Sequence, residues 1–342
     1  MKPYNNSCLN NRLRYYYYKL LDKKERELYD FLEEHIWNYE KTTEIAKYNL
    51  SIDSIRRVQE AIYNDNPMMY FMDPYKFSYN VEHGYVSKII FEYIYSKKEC
   101  EQYNKTIYKE IDLIKRKCAN RNSFDSEQII HDYLTTNIIY AKDKIALGMK
   151  ENRRIYSVVG ALIDKKAVCH GIACAFKLFC DCIGIKCLVA LGKANELTSG
   201  NGHAWNIVQI EKSNYHVDTT WNLIKDKSKY GKYNYFNLTD EDIRSDHYWD
   251  ESFYPKCMSI KHNFYFHKNL YANNYHDIEK LIKYFIENKK KFLPIRCICF
   301  EPSFAEINQT IRKVFHNIDV QKISTKTTIT NNKYIYIDFS YK

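Results

Sequence analysis

Several absences narrow the reading of this chain of 342 residues. No stretch approaches the roughly 18 consecutive apolar residues that a membrane-spanning helix needs, so no membrane partner is expected. The opening residues, MKPYNNSCLNNRLRYYYYKLLDKK, contain no apolar run of the secretory kind. A cytoplasmic protein is therefore expected. No C-x-x-C pair occurs among the 11 cysteines, which argues against a zinc ribbon. No internal repeat or low-complexity tract is visible. Lys and Arg exceed Asp and Glu by 52 to 42, but the basic residues are scattered rather than gathered into a stripe. A nucleic-acid partner is not expected from such a pattern.

The residues that are present fit a globular protein with room for two or three domains, 45% hydrophobic and 27% charged. The odd cysteine count, without an export signal, favours free thiols over a disulfide framework.

The first 120 residues read as a mostly helical domain with a strand pair. Leu28, Phe31, Leu32, His35, Ile36 and Tyr39 follow helical spacing. Ser51 caps a second helix carrying Ile52, Ile55, Val58 and Ile62, which Asn66-Pro67 ends. Residues 69–95 predict two strands around a His83-Gly84 turn. A charged helix follows with Tyr103, Ile107, Ile111, Ile114 and Cys118 on one face, then a polar linker at 119–126. Residues 121–262 form the candidate catalytic domain, with a basic loop at 141–157. Residues 263–342 predict a small α+β domain: a helix capped by Asp277, a strand at 292–300, a helix from Phe304 to Phe315 and two closing strands.

The chemistry concentrates between Gly160 and Trp221. Cys169 stands where a helix begins, since Ile172, Ala175, Phe176, Phe179 and Ile183 lay out one buried face and Gly184 stops it. Amide N–H groups in a first turn lack intrahelical partners, and the macrodipole is positive there, so a thiolate is favoured. Gly171 is expected to let a substrate carbonyl come close. His203 opens the strand HAWNIVQI after a loop with Gly200, Asn201 and Gly202, and Asp218 closes the strand YHVDTTW. A hairpin turning near Glu211–Asn214 brings the two together, with the register open by a residue or two. Asp218 then fixes the imidazole tautomer and leaves the other nitrogen for the thiol. Singly, each residue has a plainer use: a packed thiol, a satisfied polar residue, a strand-end cap. Their joint order and placement favour a Cys-His-Asp triad.

The runs V-C-H-G-I-A-x-A-F-K-L, G-I-K-C, H-A-W-N-I-V and Y-H-V-D-T-T-W resemble the transglutaminase-like superfamily, most of all its bacterial, cysteine-protease branch. IIHDYLTTNIIY upstream, and YFNLTD and DHYW downstream, fit the same pattern, so the resemblance covers roughly residues 124–260. It implies an α+β, papain-like fold with a Cys helix packed on an antiparallel sheet. It implies Cys169 as nucleophile, His203 as general base then acid, and Asp218 as orienting group. The implied chemistry is acyl transfer through a thioester, on a peptide or protein substrate, as protease, amidase or transglutaminase. A catalytically silent interaction module of the same fold is the alternative. The resemblance brings no calcium loops or zinc-binding pairs, and no cofactor or metal is expected. The Cys169 N–H is the default oxyanion donor; a second could come from Tyr140, Gln128 or a backbone group. Tyr140, His170, Trp205 and Trp221 are the candidate substrate-binding residues. His170, Ala167 and Asn222 depart from what relatives usually carry, which leaves substrate preference open. The sequence gives no oligomeric state.

Overall fold

The structure, a computed structural model, describes residues 15–142, 152–195, 202–224, 231–318 and 323–341. Most of the expected basic loop, Gly200 and Asn201 of the expected glycine loop, and residues 225–230 of the expected loop beyond Trp221 lie outside the described residues. The chain divides into two compact units, 1–223 with 238–258, and 224–237 with 259–342.

Residues 1–120, expected as a domain of their own, fall in the first unit together with the central region. The reason is packing: the helix Lys97–Cys118 lies on the helices Ser123–Asn137 and Cys169–Ile183, burying Ile107, Ile111 and Ile114. Local chemistry starts these helices. The hydroxyl of Ser51 accepts from the Ser54 N–H at the head of Ile52–Asp65, and Ser96 and Glu99 form a reciprocal capping box. Asn122 caps Ser123–Asn137, so the expected linker at 119–126 is shorter than its polar sequence suggested. The strands Met72–Glu82 and Tyr85–Tyr93 flank the predicted turn. A third strand, Thr42–Glu44, pairs with the second of them; at three residues it has too little pattern to be read locally.

The helix Cys169–Ile183 is buried almost all round rather than on one face. Phe176 and Phe179 are fully buried, each worth roughly 2–3 kcal/mol of apolar burial. Lys177 is buried too, donating to Asp181 Oδ2 at 2.9 Å and to the Cys187 carbonyl at 3.1 Å. Gly184, at φ 91°, ends the helix as predicted. Gly171 has a different role from the one expected. A Cβ there would meet the Ile155 carbonyl oxygen at 2.5 Å and that of Ser157 at 3.0 Å, so it serves close backbone packing rather than substrate approach.

Beneath the helix run the strands His247–Tyr248, Lys186–Ala194, His203–Ile210 and Ser213–Val217, in that spatial order and antiparallel. Asn206 joins the layers by donating from its amide to the carbonyls of Ala173 (3.0 Å) and Leu188 (3.1 Å). This is the predicted α+β arrangement of a cysteine helix on an antiparallel sheet. The hairpin closes through Glu211 and Lys212, with Ile210 paired to Ser213 and Glu211 at φ 56°.

The second unit has its own sheet, in the order Tyr271–Ala272, Phe292–Cys297, Tyr334–Tyr341, Ile323–Thr330; the first pair is parallel and the rest antiparallel. The helices Tyr275–Glu287 and Phe304–Ile318 pack on each other and build one apolar core with the sheet, including Ile278, Ile282, Leu293, Ile307 and Ile335. Asn274, not Asp277, caps the first helix, accepting from the Asp277 N–H. Residues 224–237 join this unit through Asn234, whose Oδ1 accepts from the hydroxyls of Tyr265 (2.7 Å) and Tyr336 (2.8 Å).

Candidate active site

Cys169 is the first residue of its helix. Val168 before it has no side-chain acceptor to offer, so the first-turn N–H groups keep their capacity for an anion. The thiol is partly exposed, while Cys174, Cys180, Cys182 and Cys187 nearby in sequence are buried. Burial pushes the Cys174 thiol up to about 12 and raises Cys180 as well, so both remain protonated thiols at neutral pH.

His203 donates from Nε2 to Asp218 Oδ2 at 2.7 Å, with both side chains fully buried. The other ring nitrogen, Nδ1, is buried and makes no hydrogen bond. Burial alone would lower the imidazole pKa. The charge and hydrogen bond of Asp218, and then Cys169, outweigh it and raise His203 to about 10. The thiol is thus close enough to act on the ring, while Nδ1 stays available for its proton.

Asp218 does two things at once. Its Oδ1 accepts from the Trp221 N–H at 3.0 Å, capping the turn that follows, and its Oδ2 holds His203. Burial would raise its pKa, but His203 and His247 hold the carboxyl well below the ordinary range. His247 is the residue that sequence reasoning missed. Its Nε2 lies 2.9 Å from the same Asp218 Oδ2, and its Nδ1 2.7 Å from Asp246 Oδ1. The DHYW run at 246–249 was visible in the sequence, but nothing local indicates that its histidine reaches Asp218 from a strand three places away in the sheet.

Tyr140 belongs to the short strand Ile139–Tyr140, which pairs with Lys166–Ala167 just ahead of Cys169. Its hydroxyl is buried without a hydrogen-bond partner. Burial raises its pKa, and the charges of Cys169 and Asp218 add to the rise.

The remaining candidates are held by the protein's own packing. Trp205 and Trp221 are each 1% exposed, so they are core aromatics beside His203 and Asp218 and offer little surface to a substrate. Trp205 stacks on His203 at 5.9 Å and donates from Nε1 to His216 Nδ1 at 3.0 Å. Trp221 packs against His247 at 4.6 Å. The His170 ring is stacked on Tyr63 at 4.9 Å and 5°, and hydrogen-bonded to the Tyr156 carbonyl at 2.9 Å, so it is engaged by the protein itself. Burial lowers its pKa and keeps it neutral.

Among the described residues, two buried trios bring possible metal donors within 4.8 Å of one another: His203, Asp218 and His247, and His216, Asp240 and Cys257. In the first, both histidines already bond to Asp218. In the second, Trp205 donates to His216 Nδ1, so Nε2 must carry the hydrogen given to Asp240 at 2.9 Å. Both arrangements are hydrogen-bond relays, with their donor atoms spent inside the protein.

Residues 113–219 match the family model of the transglutaminase-like superfamily. This central region is similar to that superfamily. A crystal structure of a TGase is 14% identical, covering 53% of this chain and 51% of that one at a TM-score of 0.33. A structure described as a "Putative Cysteine Protease from Cytophaga hutchinsonii" is 19% identical, covering 33% and 37% at a TM-score of 0.28. The chain spans about half the length of the first of these structures. No curated protein matches the sequence. The family match ends at Thr219, so it takes in Tyr140, Cys169, His203 and Asp218 but not His247. No helix among the described residues is long and apolar enough to cross a membrane.

Proposed function

We propose that the protein is a cysteine-dependent acyl-transfer enzyme acting on peptide or protein amide bonds through Cys169, His203 and Asp218. The observation that carries this reading is the state of His203. One nitrogen is fixed by a buried carboxylate at 2.7 Å, and the other is buried, unpartnered and beside a thiol at a helix start.

The steps follow from those positions. His203 Nδ1 takes the Cys169 proton, leaving a thiolate beside an imidazolium that Asp218 stabilises. The thiolate attacks the amide carbon, and the carbonyl π electrons move to oxygen. The Cys169 N–H and the Tyr140 hydroxyl donate to that oxyanion; Tyr140 is a buried donor with no partner in the resting protein. The oxyanion collapses, the C–N bond breaks, and the imidazolium proton goes to the departing amine. A thioester on Cys169 remains. Water or a second amine, deprotonated by His203, resolves it.

The test is incubation with a glutaminyl peptide library, with and without a tagged amine. Products are read by mass, beside a Cys169→Ala control. Release of acid or ammonia, or amine incorporation, that is lost in the control supports the reading. Equal turnover in both proteins overturns it.

A further inference from the structure

We propose that His247 is a positioning residue for the Cys169–His203 pair: by donating to the same carboxylate oxygen, it fixes Asp218 and loosens that oxygen's hold on the His203 proton. This rests on the triad reading above and goes beyond it.

The argument begins with lone pairs. His203 Nε2 and His247 Nε2 both bond to Asp218 Oδ2, at 2.7 and 2.9 Å, and the Trp221 N–H occupies Oδ1. An oxygen that accepts two N–H groups gives each a smaller share of its charge than one that accepts a single group. His247 also faces Asp246 Oδ1 through Nδ1 at 2.7 Å. The His247 and His203 rings lie 5.3 Å apart between centroids. Two N–H groups on one oxygen, in a fully buried cluster with no water to share the load, leave the imidazolium of His203 easier to discharge.

The fold holds His247 in place for this. Its strand pairs with the end of Lys186–Ala194, His247 opposite Ala194. Gly192 on that strand is paired with His203; a Cβ at Gly192 would meet the Tyr248 carbonyl oxygen at 2.3 Å and the Trp205 ring at 2.7 Å. Trp221 and Trp205 pack against the His247 ring at 4.6 and 5.2 Å. The ionisable groups that face it are Asp246, Asp218 and His203, with His216 beyond Trp205.

The consequence is chemical. An imidazolium held too firmly is a poor acid for a departing amine. His247 lets Asp218 orient the ring without trapping its proton.

The test needs no substrate. Iodoacetamide alkylation of Cys169 is followed across pH by peptide mass mapping, in the wild type, His203→Ala, His247→Leu and His247→Gln. The wild type should show two limbs, for formation of the thiolate–imidazolium pair and for loss of the imidazolium proton. His247→Leu should move the upper limb to higher pH by about one unit. His247→Gln keeps an N–H for Asp218 and should fall between the two. Should the leucine variant fail to fold, the glutamine variant alone decides. Variants whose upper limb matches the wild type, or moves to lower pH, overturn this inference and leave the triad standing. A wild-type profile identical to that of His203→Ala overturns the triad reading, and this inference with it.

Discussion

His203 and Asp218 are joined at 2.7 Å although the hairpin does not set them opposite each other. The strand pair nearest them is Asn206 with Val217, and continuing that register sets Asp218 opposite Trp205. The contact is therefore diagonal, made by the first residue of one strand and the residue just past the end of the next.

That contact fixes the sign of a pH experiment. Burial pulls the His203 pKa down, and the Asp218 charge is the largest effect opposing it. Asp218→Asn removes the charge but keeps the shape. The upper limb of the pH–rate profile should then move to lower pH, and the maximum rate should fall more than about tenfold because the tautomer is no longer enforced. A profile that matches the wild type in both respects would mean that Asp218 only caps the turn at Trp221. Asn222, the next candidate, has its Nδ2 2.8 Å from His131 Nε2, so only its Oδ1 could take over that role.

Cys169→Ala should abolish acyl transfer and leave the fold intact, because the side chain is small and partly exposed. In the wild type, iodoacetamide at neutral pH should label Cys169 before the buried Cys174, Cys257 and Cys297, whose pKa values burial raises. The exposed Cys299 is the internal standard: labelling of Cys299 ahead of Cys169 would count against an activated thiol.

The parts of this protein that could be read from sequence are those whose causes are local. Ser51, Gly184 and the apolar spacing after Cys169 mark helix ends and faces. Two strands around a polar break imply the hairpin of His203 and Asp218. What escaped reading depends on distant partners. His247 gains its place only when its strand pairs with Lys186–Ala194. Residues 224–237 join the second unit because Tyr265 and Tyr336, well downstream, bond to Asn234. Trp205 and Trp221 flank His203 and Asp218 in sequence, which suits a core aromatic first and a cleft wall second; both are buried on all sides.

Tyr140→Phe tests the second oxyanion donor. The hydroxyl has no partner to lose, so stability should stay level or rise slightly, as removal of an unpaired buried polar group predicts. If the hydroxyl donates to the oxyanion, kcat should fall by about 100-fold with little change in KM. Cys169 alkylation should be unaffected, since no oxyanion forms in that reaction. A parallel loss of alkylation would instead mark Tyr140 as part of thiol activation.

Asp65 ties stability to pH at the root of the same unit. It ends the helix Ile52–Asp65, is 1% exposed, and accepts the N–H groups of Tyr16 (2.9 Å), Tyr17 (3.2 Å) and Tyr18 (2.8 Å). Burial raises its pKa to about 7, although Lys177 and the three N–H groups pull the other way. An acid whose folded pKa lies above its unfolded value binds a proton on folding. Its contribution is fully present below the unfolded pKa of about 4 and is lost as pH rises through about 7. His203 does not confuse this window, because its own contribution persists up to its unfolded pKa of about 6.5 and is lost only as pH rises from there through about 10. Urea unfolding of the wild type and Asp65→Asn at several pH values between about 4 and 7 isolates the effect. The wild type should lose up to roughly 4 kcal/mol relative to the variant as pH rises across the window. The variant itself should be weaker at low pH, since one amide oxygen cannot serve three N–H groups as a carboxyl does. Stability curves that run parallel across the window would show that Asp65 titrates alike in the folded and unfolded chain.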